Sequence, residues 1–235
     1  DQIEPKFILT TIDNSVTFSK LTKYYENKIK FIAVQNSTRG DIYENNKNHN
    51  KYFYFTNYIG LSNFDLNLLQ KKNIKIKNFI AGGSLKNSYF KFNLNNNKNE
   101  EKKFDICLVS KRLFNGSALS SSYPAKSTLQ TIQFLSKYIK KYGKSLIIQS
   151  KFEYNNLEKN LYKKFFENSN YKIIWRDKSG LISYKSMSSS KIVTGAPTTS
   201  LREAFAYNDT KVLCFDLENK KDKHPFPEFM VINEI

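Results

Sequence analysis

The sequence predicts an α/β protein whose strands form parallel sheets. In its second half, short apolar runs that suit buried strands alternate with segments whose apolar residues recur every three or four positions, which suits helices. Parallel strands need crossover connections, and helices are the usual ones. The 235 residues, of which 40% are hydrophobic and 25% charged, suffice for a sizeable core and exclude a wholly disordered chain.

The predicted elements of the second half follow one another in a regular order. Strands are predicted at 104–110, 145–149, 171–175, 191–194 and 211–215. Helices are predicted at 126–142, 156–168, 180–187 and 200–207. Gly143 follows the first helix and is typical of a helix end. This alternation predicts a doubly wound domain, in which ligands bind beyond the carboxyl ends of the strands.

The first half shows a similar but shorter pattern. Strands are predicted at 6–10, 30–35 and 76–81, with a helix near 18–25. The sequence therefore predicts two Rossmann-like lobes, of which the N-terminal one is incomplete. The expected boundaries are 1–92 for the partial N-terminal lobe, 93–103 for a polar, asparagine-rich linker and 104–235 for the C-terminal lobe.

The formal net charge of +17 favours acidic partners in general. Only four of the 38 basic residues are arginine, and the excess of Lys, Asn, Ile, Tyr and Phe is what A/T-rich codons supply. Lysine cannot imitate the bidentate contacts by which arginine reads bases, and the lysines are spread along the whole chain. We therefore expect no nucleic-acid partner, and keep an anionic membrane surface and phosphorylated substrates as alternatives.

No stretch approaches the roughly 18–20 apolar residues of a membrane span, and the first residues do not resemble a signal peptide. Two cysteines are too few for a secreted disulfide scaffold. Cys107 and Cys214 both fall in predicted strands, which indicates reduced packing residues. The expected location is the cytoplasm.

The segment after the fourth predicted strand of the C-terminal lobe is the richest candidate site. A Gly-Ala-Pro turn leads into Thr198, Thr199 and Ser200, whose hydroxyls and free backbone N–H groups at a helix start suit a phosphate. Glu203, one turn further, suits the hydroxyls of a ribose. In the alternative interpretation, Thr199 or Ser200 is a plain N-cap and Glu203 its capping-box partner.

Several stretches resemble bacterial surface-carbohydrate transferases of the GT-B type, which build capsule, O-antigen and lipopolysaccharide. They are VQNSTR at 34–39, GGSLKNSY at 82–89, FDICLVS at 104–110 and TGAPTTSLREA at 194–204. The resemblance implies a metal-independent glycosyltransferase that moves a sugar from a nucleotide-sugar to a polysaccharide or lipid-linked saccharide. It places the donor diphosphate and ribose at the Thr198–Glu203 segment, and it implies a cytoplasmic enzyme, with peripheral attachment to the inner membrane as an alternative.

Other loops at predicted strand ends carry further candidates. Ser110, Lys111 and Arg112 follow the first strand of the C-terminal lobe, where GT-B-like enzymes approach the donor phosphates. Arg176 and Asp177 follow the third strand, and in the resembled fold this loop flanks the base. The alternative interpretation for each is an ordinary solvated loop.

Acceptor-side candidates follow the second strand of the N-terminal lobe. Gln35 and Asn36 suit hydrogen bonds to sugar hydroxyls, and Arg39 suits a phosphate or carboxylate. The alternative is a loop in solvent. No catalytic base is assigned, although Glu153 and Asp177 are the loop carboxylates of the C-terminal lobe.

Several familiar motifs do not occur in the sequence. Its two His and two Cys lack the spacing of a zinc site, and there is no Walker loop or nucleophile elbow. Gly82-Gly83-Ser84 lacks the dinucleotide pattern, His49 lies in an asparagine-rich loop, and His224-Pro225 follows the fifth strand and receives no role. The small-residue segment 116–123 is a candidate mobile loop. We expect no metal and no cofactor, with the nucleotide-sugar as substrate.

Two rival hypotheses remain. One is a sugar-nucleotide epimerase of GT-B shape, although its usual acid and base residues are not recognisable. The other is a non-catalytic basic α/β module that binds a polyanion or a membrane surface.

Overall fold

The computed structural model describes residues 4–37, 50, 52–95, 102–110, 126–207, 209–218 and 230–232. The chain forms two compact units, Asp1–Ser88 and Tyr89–Ile235. Each unit contains a parallel sheet with helices, and the predicted α/β class is confirmed.

The first unit carries a four-stranded parallel sheet. Its elements are β1 (Phe7–Thr10), α1 (Val16–Tyr25), β2 (Lys30–Val34), β3 (Tyr54–Gly60), α2 (Asn63–Lys71) and β4 (Lys75–Ala81). The strands lie in the order β1-β2-β3-β4. A further helix, α3 (Leu85–Asn95), begins in the first unit and continues into the second.

Aromatic side chains form the core of the first unit. Phe31, Phe55 and Tyr58 are almost fully buried in the sheet. Phe18 of α1 meets Phe31 edge-on at 5.5 Å between ring centroids, and Phe79 of β4 stacks on Tyr58 at 6.0 Å. Burial of several aromatic rings, each worth a few kcal/mol, holds α1 against the sheet.

The predicted strands of the first unit are confirmed to within a residue or two, but β3 and the helices α2 and α3 were not predicted. The apolar run of β3 is interrupted by Thr56 and Asn57, whose side chains donate hydrogen bonds to the carbonyl of Phe31. Of the predicted linker, Asn93–Asn95 lie in the last turn of α3, and 96–101 lie outside the described residues.

The second unit carries a six-stranded parallel sheet. Its elements are β5 (Phe104–Val109), α4 (Lys126–Tyr142), β6 (Leu146–Gln149), α5 (Asn156–Phe166), β7 (Tyr171–Ile174), α6 (Ile182–Ser188), β8 (Ser190–Gly195), α7 (Thr199–Glu203), β9 (Lys211–Phe215) and β10 (Val231–Ile232). The strand order β10-β9-β8-β5-β6-β7 is that of the doubly wound dinucleotide-binding fold. β6 and β7 lie on one side of β5 in the sheet, and β8, β9 and β10 lie on the other side.

Both faces of the second sheet are covered. Along β5, Cys107 and Val109 face a core with α6 and α7, whereas Ile106 and Leu108 face a core with α4 and α5. A strand buried on both faces reads as a continuous apolar run, and this is why all five predicted strands of this unit are confirmed. Cys107 and Cys214 are buried and not disulfide-bonded, as predicted.

Candidate functional site

The carboxyl ends of β5 and β8 lie side by side at the switch point of the second sheet. Val109 is paired with Gly195, and Ser110 follows immediately after β5. A Cβ on Gly195 would lie 2.5 Å from the carbonyl oxygen of Val109, so glycine permits the close approach of the two strands here. In open α/β sheets this position is where ligands bind.

The hydroxyl of Ser110 lies beside a buried carboxylate. Ser110 Oγ donates to Glu158 Oε1 at 3.3 Å, and Ser150 Oγ donates to Glu158 Oε2 at 3.0 Å. The phenol of Tyr162 donates to Ser110 Oγ at 2.7 Å. Glu158 and Tyr162 are 0% exposed, and burial raises the pKa of the Glu158 carboxyl. A carboxyl group that sequence reasoning did not single out thus lies directly below the switch point.

A shallow pocket opens on the α4 side of the switch point. Its lining is largely apolar and includes Leu108, Val109, Ile132, Tyr162, Pro197, Phe215 and Leu217, while its polar members are Ser110, Asp216 and Glu218 at the strand ends and Ser127, Thr128 and Thr131 on α4. The hydroxyl of Ser127 donates a hydrogen bond to Glu218.

The segment after β8 has a different cap from the one expected. Thr198 is the N-cap of α7, because its Oγ1 accepts a hydrogen bond of 3.2 Å from the N–H of Leu201. The expected cap at Thr199 or Ser200 is therefore wrong, and both residues are half-buried in the first turn. The carboxylate of Glu203 accepts a hydrogen bond of 3.1 Å from the phenol of Tyr184 on α6.

A second shallow pocket lies at the carboxyl ends of β6 and β7. Lys151, Phe152, Glu153 and Arg176 line it, and the N–H of Arg176 donates to the carbonyl of Phe152 at 2.7 Å. The ring of Trp175 next to it contacts that of Tyr154, with 5.1 Å between the centroids. Two cations and flat aromatic surface at one strand edge suit a planar, anionic ligand.

Asp177, one of the two loop carboxylates considered from the sequence, closes a turn. Its Oδ1 accepts from the N–H of Gly180 at 2.8 Å, and its Oδ2 accepts from the hydroxyl of Ser179 at 2.7 Å. The side chain of Asp177 thus closes a local turn through hydrogen bonds to residues two and three positions on, which indicates a structural role. Glu153 is exposed and lines the second pocket.

The acceptor-side candidates lie at the carboxyl end of β2 in the first unit. Gln35 is buried, with its amide nitrogen donating to Asp65 Oδ1 at 3.1 Å and its oxygen accepting from the N–H of Leu61 at 3.1 Å. Asn36 is exposed and donates to the carbonyl of Thr11 at 2.6 Å. Gln35 thus stabilises the carboxyl end of the sheet, and the side-chain amide of Asn36 is more accessible to a ligand than that of Gln35.

Several predicted residues lie outside the described part of the chain. They are Arg39, His49, Lys111, Arg112, the segment 116–123 and His224 with Pro225. The described candidates Ser110, Arg176 and Thr198–Glu203 all lie at the carboxyl edge of the second sheet, whereas Gln35 and Asn36 belong to the first unit.

Sequence reasoning missed Glu158 and Tyr184. The signal for Glu158 was present, since Glu158, Tyr162 and Phe166 recur every four positions and share the buried face of α5. Tyr184 lies on the short helix α6, where apolar spacing is too brief to mark a face.

Among the described residues, no group of three or more His, Cys, Asp or Glu side chains is placed to hold a metal ion. In the same part of the chain, no helix has the length and apolar character needed to cross a membrane.

Comparison with known proteins identifies a fold. No protein-family model matches the sequence, and neither does a curated protein. Chains of solved structures do match, among them UDP-GlcNAc 2-epimerase from Neisseria meningitidis bound to UDP-GlcNAc. The similarity to this epimerase has a TM-score of 0.50 at 13% sequence identity, and it covers 88% of this chain and 63% of the epimerase chain. The fold is GT-B-like.

At this level of identity the similarity concerns the fold alone. The predicted GT-B-like architecture with two parallel sheets is confirmed. The chain spans less than two thirds of the epimerase chain that it matches.

Proposed function

We propose that the carboxyl edge of the second sheet binds a nucleotide-sugar, and that the chain is a glycosyltransferase of bacterial surface-polysaccharide assembly. The strand order of the second sheet carries the proposal, because it brings Ser110 and the β8–α7 segment together at the switch point. The GT-B-like neighbour is bound to UDP-GlcNAc, which supports a nucleotide-sugar as the ligand class.

Three parts of this edge suit three parts of a nucleotide-sugar. The pocket with Phe152 and Arg176 suits the base. The hydroxyls of Thr199 and Ser200 suit the diphosphate, as do Lys111 and Arg112, which follow Ser110 in the sequence. Glu203 suits the ribose.

In the proposed reaction, the bond between the anomeric carbon and the diphosphate oxygen breaks, and the anomeric carbon forms a bond to an acceptor hydroxyl. The acceptor loses its proton, and the departing diphosphate gains negative charge. Basic side chains and N–H groups at the strand ends stabilise that charge. The proposed acceptor is a polysaccharide or lipid-linked saccharide, which binds on the side of Asn36 and Arg39, while the buried Gln35 supports this end of the sheet. The high lysine content favours an anionic membrane surface nearby.

Calorimetry against UDP, GDP, CDP, CMP and dTDP at moderate salt tests nucleotide binding. We expect one of them to bind, and the double variant Ser200→Ala/Glu203→Ala to weaken it about tenfold or more. The exposed Glu167→Ala is the control and should leave the affinity unchanged. Equal affinity in wild type and double variant, or no nucleotide bound at all, would overturn the proposed site.

The similarity to an epimerase favours a second candidate function, a GT-B-shaped sugar-nucleotide epimerase. NMR of the chain with UDP-GlcNAc separates the two functions. An epimerase changes the stereochemistry of the sugar without an acceptor, whereas a transferase consumes the donor in proportion to added saccharide. Steep loss of binding with salt and no turnover would instead favour the non-catalytic polyanion binder.

A further inference from the structure

A buried carboxylate links the two pockets of the second sheet. Glu158 lies in the first turn of α5 and is 0% exposed. Its two oxygens accept hydrogen bonds from Ser110, which follows β5, and from Ser150, which follows β6. The phenol of Tyr162 on the same helix also hydrogen-bonds this carboxyl, whereas Ser110 and Ser150 lie at the ends of two neighbouring strands.

The contacts continue from Ser150 into the second pocket. Ser150 Oγ accepts a hydrogen bond of 3.0 Å from the N–H of Phe152, and the carbonyl of Phe152 accepts one of 2.7 Å from the N–H of Arg176. On the other side, Ser110 lines the pocket on the α4 face. A continuous path of hydrogen bonds therefore runs from the end of β5 through Glu158 to the ends of β6 and β7.

We propose that Glu158 is a positioning residue that holds the carboxyl ends of β5 and β6 in the geometry required for nucleotide binding. It acts through the hydroxyls of Ser110 and Ser150 and touches no ligand itself. This inference rests on the proposed function, because the ends that Glu158 aligns are those assigned to the base and the diphosphate.

The fold itself does not require a carboxylate at this position. The cap of α5 is formed by the side chain of Asn155, which accepts from the backbone N–H of Glu158 at 2.9 Å. A buried charge is costly, and burial accordingly raises the pKa of the Glu158 carboxyl. An apolar residue of similar volume would remove that cost but would also take the acceptor from the buried hydroxyls of Ser110 and Ser150. Because these two effects on stability oppose each other, the clearest effect of the carboxylate is on the two strand ends that it joins.

Two variants of similar volume separate positioning from packing. Glu158→Gln keeps an oxygen that accepts from one hydroxyl, whereas Glu158→Met fills the space without an acceptor. We expect Glu158→Met to bind the nucleotide about tenfold more weakly than wild type, while its melting temperature changes little because relief of the burial penalty offsets the loss of an acceptor for two hydroxyls. Glu158→Gln should recover most of the affinity, and the exposed Glu167→Met should match wild type.

Amide hydrogen exchange of the free protein provides a second, ligand-independent measurement. Peptides that contain Ser110 and Ser150 should exchange faster in Glu158→Met than in wild type or Glu158→Gln. Unchanged exchange in Glu158→Met would overturn the inference whatever the nucleotides do. If wild type binds a nucleotide and Glu158→Met binds it equally well, this inference alone is overturned. If wild type binds no nucleotide, the proposed function is overturned, and the exchange measurement then decides whether Glu158 positions the strand ends.

Discussion

The phenol of Tyr184 donates a hydrogen bond of 3.1 Å to the carboxylate of Glu203 and so joins α6 to α7. The ring of Tyr184 also stacks on Phe90 of α3, with 5.7 Å between the centroids. Glu203 is therefore held in part by a side chain of a neighbouring helix. Its orientation depends on a contact between residues 19 positions apart in the sequence.

Replacement of Tyr184 by Phe should weaken the proposed ribose contact while the stacking on Phe90 remains. One hydrogen bond contributes about 1 kcal/mol, so the urea midpoint should fall slightly and nucleotide affinity about fivefold. Calorimetry and urea unfolding measure the two effects. Tyr142→Phe, on an exposed ring, is the control. A lower midpoint with unchanged affinity would show that Tyr184 serves the fold only.

The sequence was most informative where strands are buried on both faces. The runs around Cys107 and Ile147 are mostly apolar, so they could be assigned to buried strands without knowing which elements pack on them. In β3, Thr56 and Asn57 are tolerated because the carbonyl of Phe31 accepts their hydrogen bonds. That acceptor lies on another strand, so the residues next to Thr56 and Asn57 in the sequence do not indicate it.

The candidate site was predictable in place but not in its contacts. Strand ends in a doubly wound sheet locate Ser110 and the β8–α7 segment from topology alone. The partners of Ser110 lie 48 and 52 residues away, at Glu158 and Tyr162. Such pairs depend on which helix covers which strand, and a single sequence does not contain that information.

Asp105 should stabilise the second unit above pH 4 and lose this effect in acid. The backbone N–H of Ser145 and the ammonium of Lys191 donate to its carboxylate at 3.0 and 2.9 Å, and together they lower its pKa from 3.8 to about 2. Because the folded-state pKa lies below the ordinary value, the stabilisation is present above pH 4 and disappears as the pH falls toward 2.

The variant Asp105→Asn tests this dependence. Its unfolding free energy at pH 7 should be about 1 kcal/mol below that of wild type, and the gap should close as the pH approaches 2. Lys191→Met should cost less at pH 7, since the lysine side chain is 61% exposed and solvent screens the ion pair. A gap that does not depend on pH would contradict the titration of Asp105.

Gly195 should tolerate no side chain, because β8 approaches β5 closely at the switch point. A Cβ there would lie 2.5 Å from the carbonyl oxygen of Val109, at a φ of 155°. We expect Gly195→Ala to lower the unfolding free energy by about 2–3 kcal/mol and to abolish nucleotide binding. Gly143, which ends α4 at a φ of 59° with open space around it, is the matched control.

Gly143→Ala should cost only about 1 kcal/mol, the usual penalty for a side chain in the left-handed region. Its nucleotide affinity should equal that of wild type, because the amino ends of the strands take no part in the proposed site. Similar losses of stability in the two variants would mean that the close approach of β5 and β8 relaxes at little cost.

Glu158 should make the second unit less stable as the pH rises. Burial raises its pKa above the ordinary value of 4.5, so the fold favours the protonated form. The penalty is absent below pH 4.5 and grows as the pH rises through the folded-state pKa.

The variant Glu158→Gln cannot ionise and therefore lacks this penalty. The melting temperature of Glu158→Gln minus that of wild type should therefore increase from pH 4.5 to pH 8, whereas the same difference for the exposed Glu167→Gln should stay constant. A difference for Glu158→Gln that falls with pH would mean that its hydroxyl partners stabilise the ionised carboxylate more than burial opposes it.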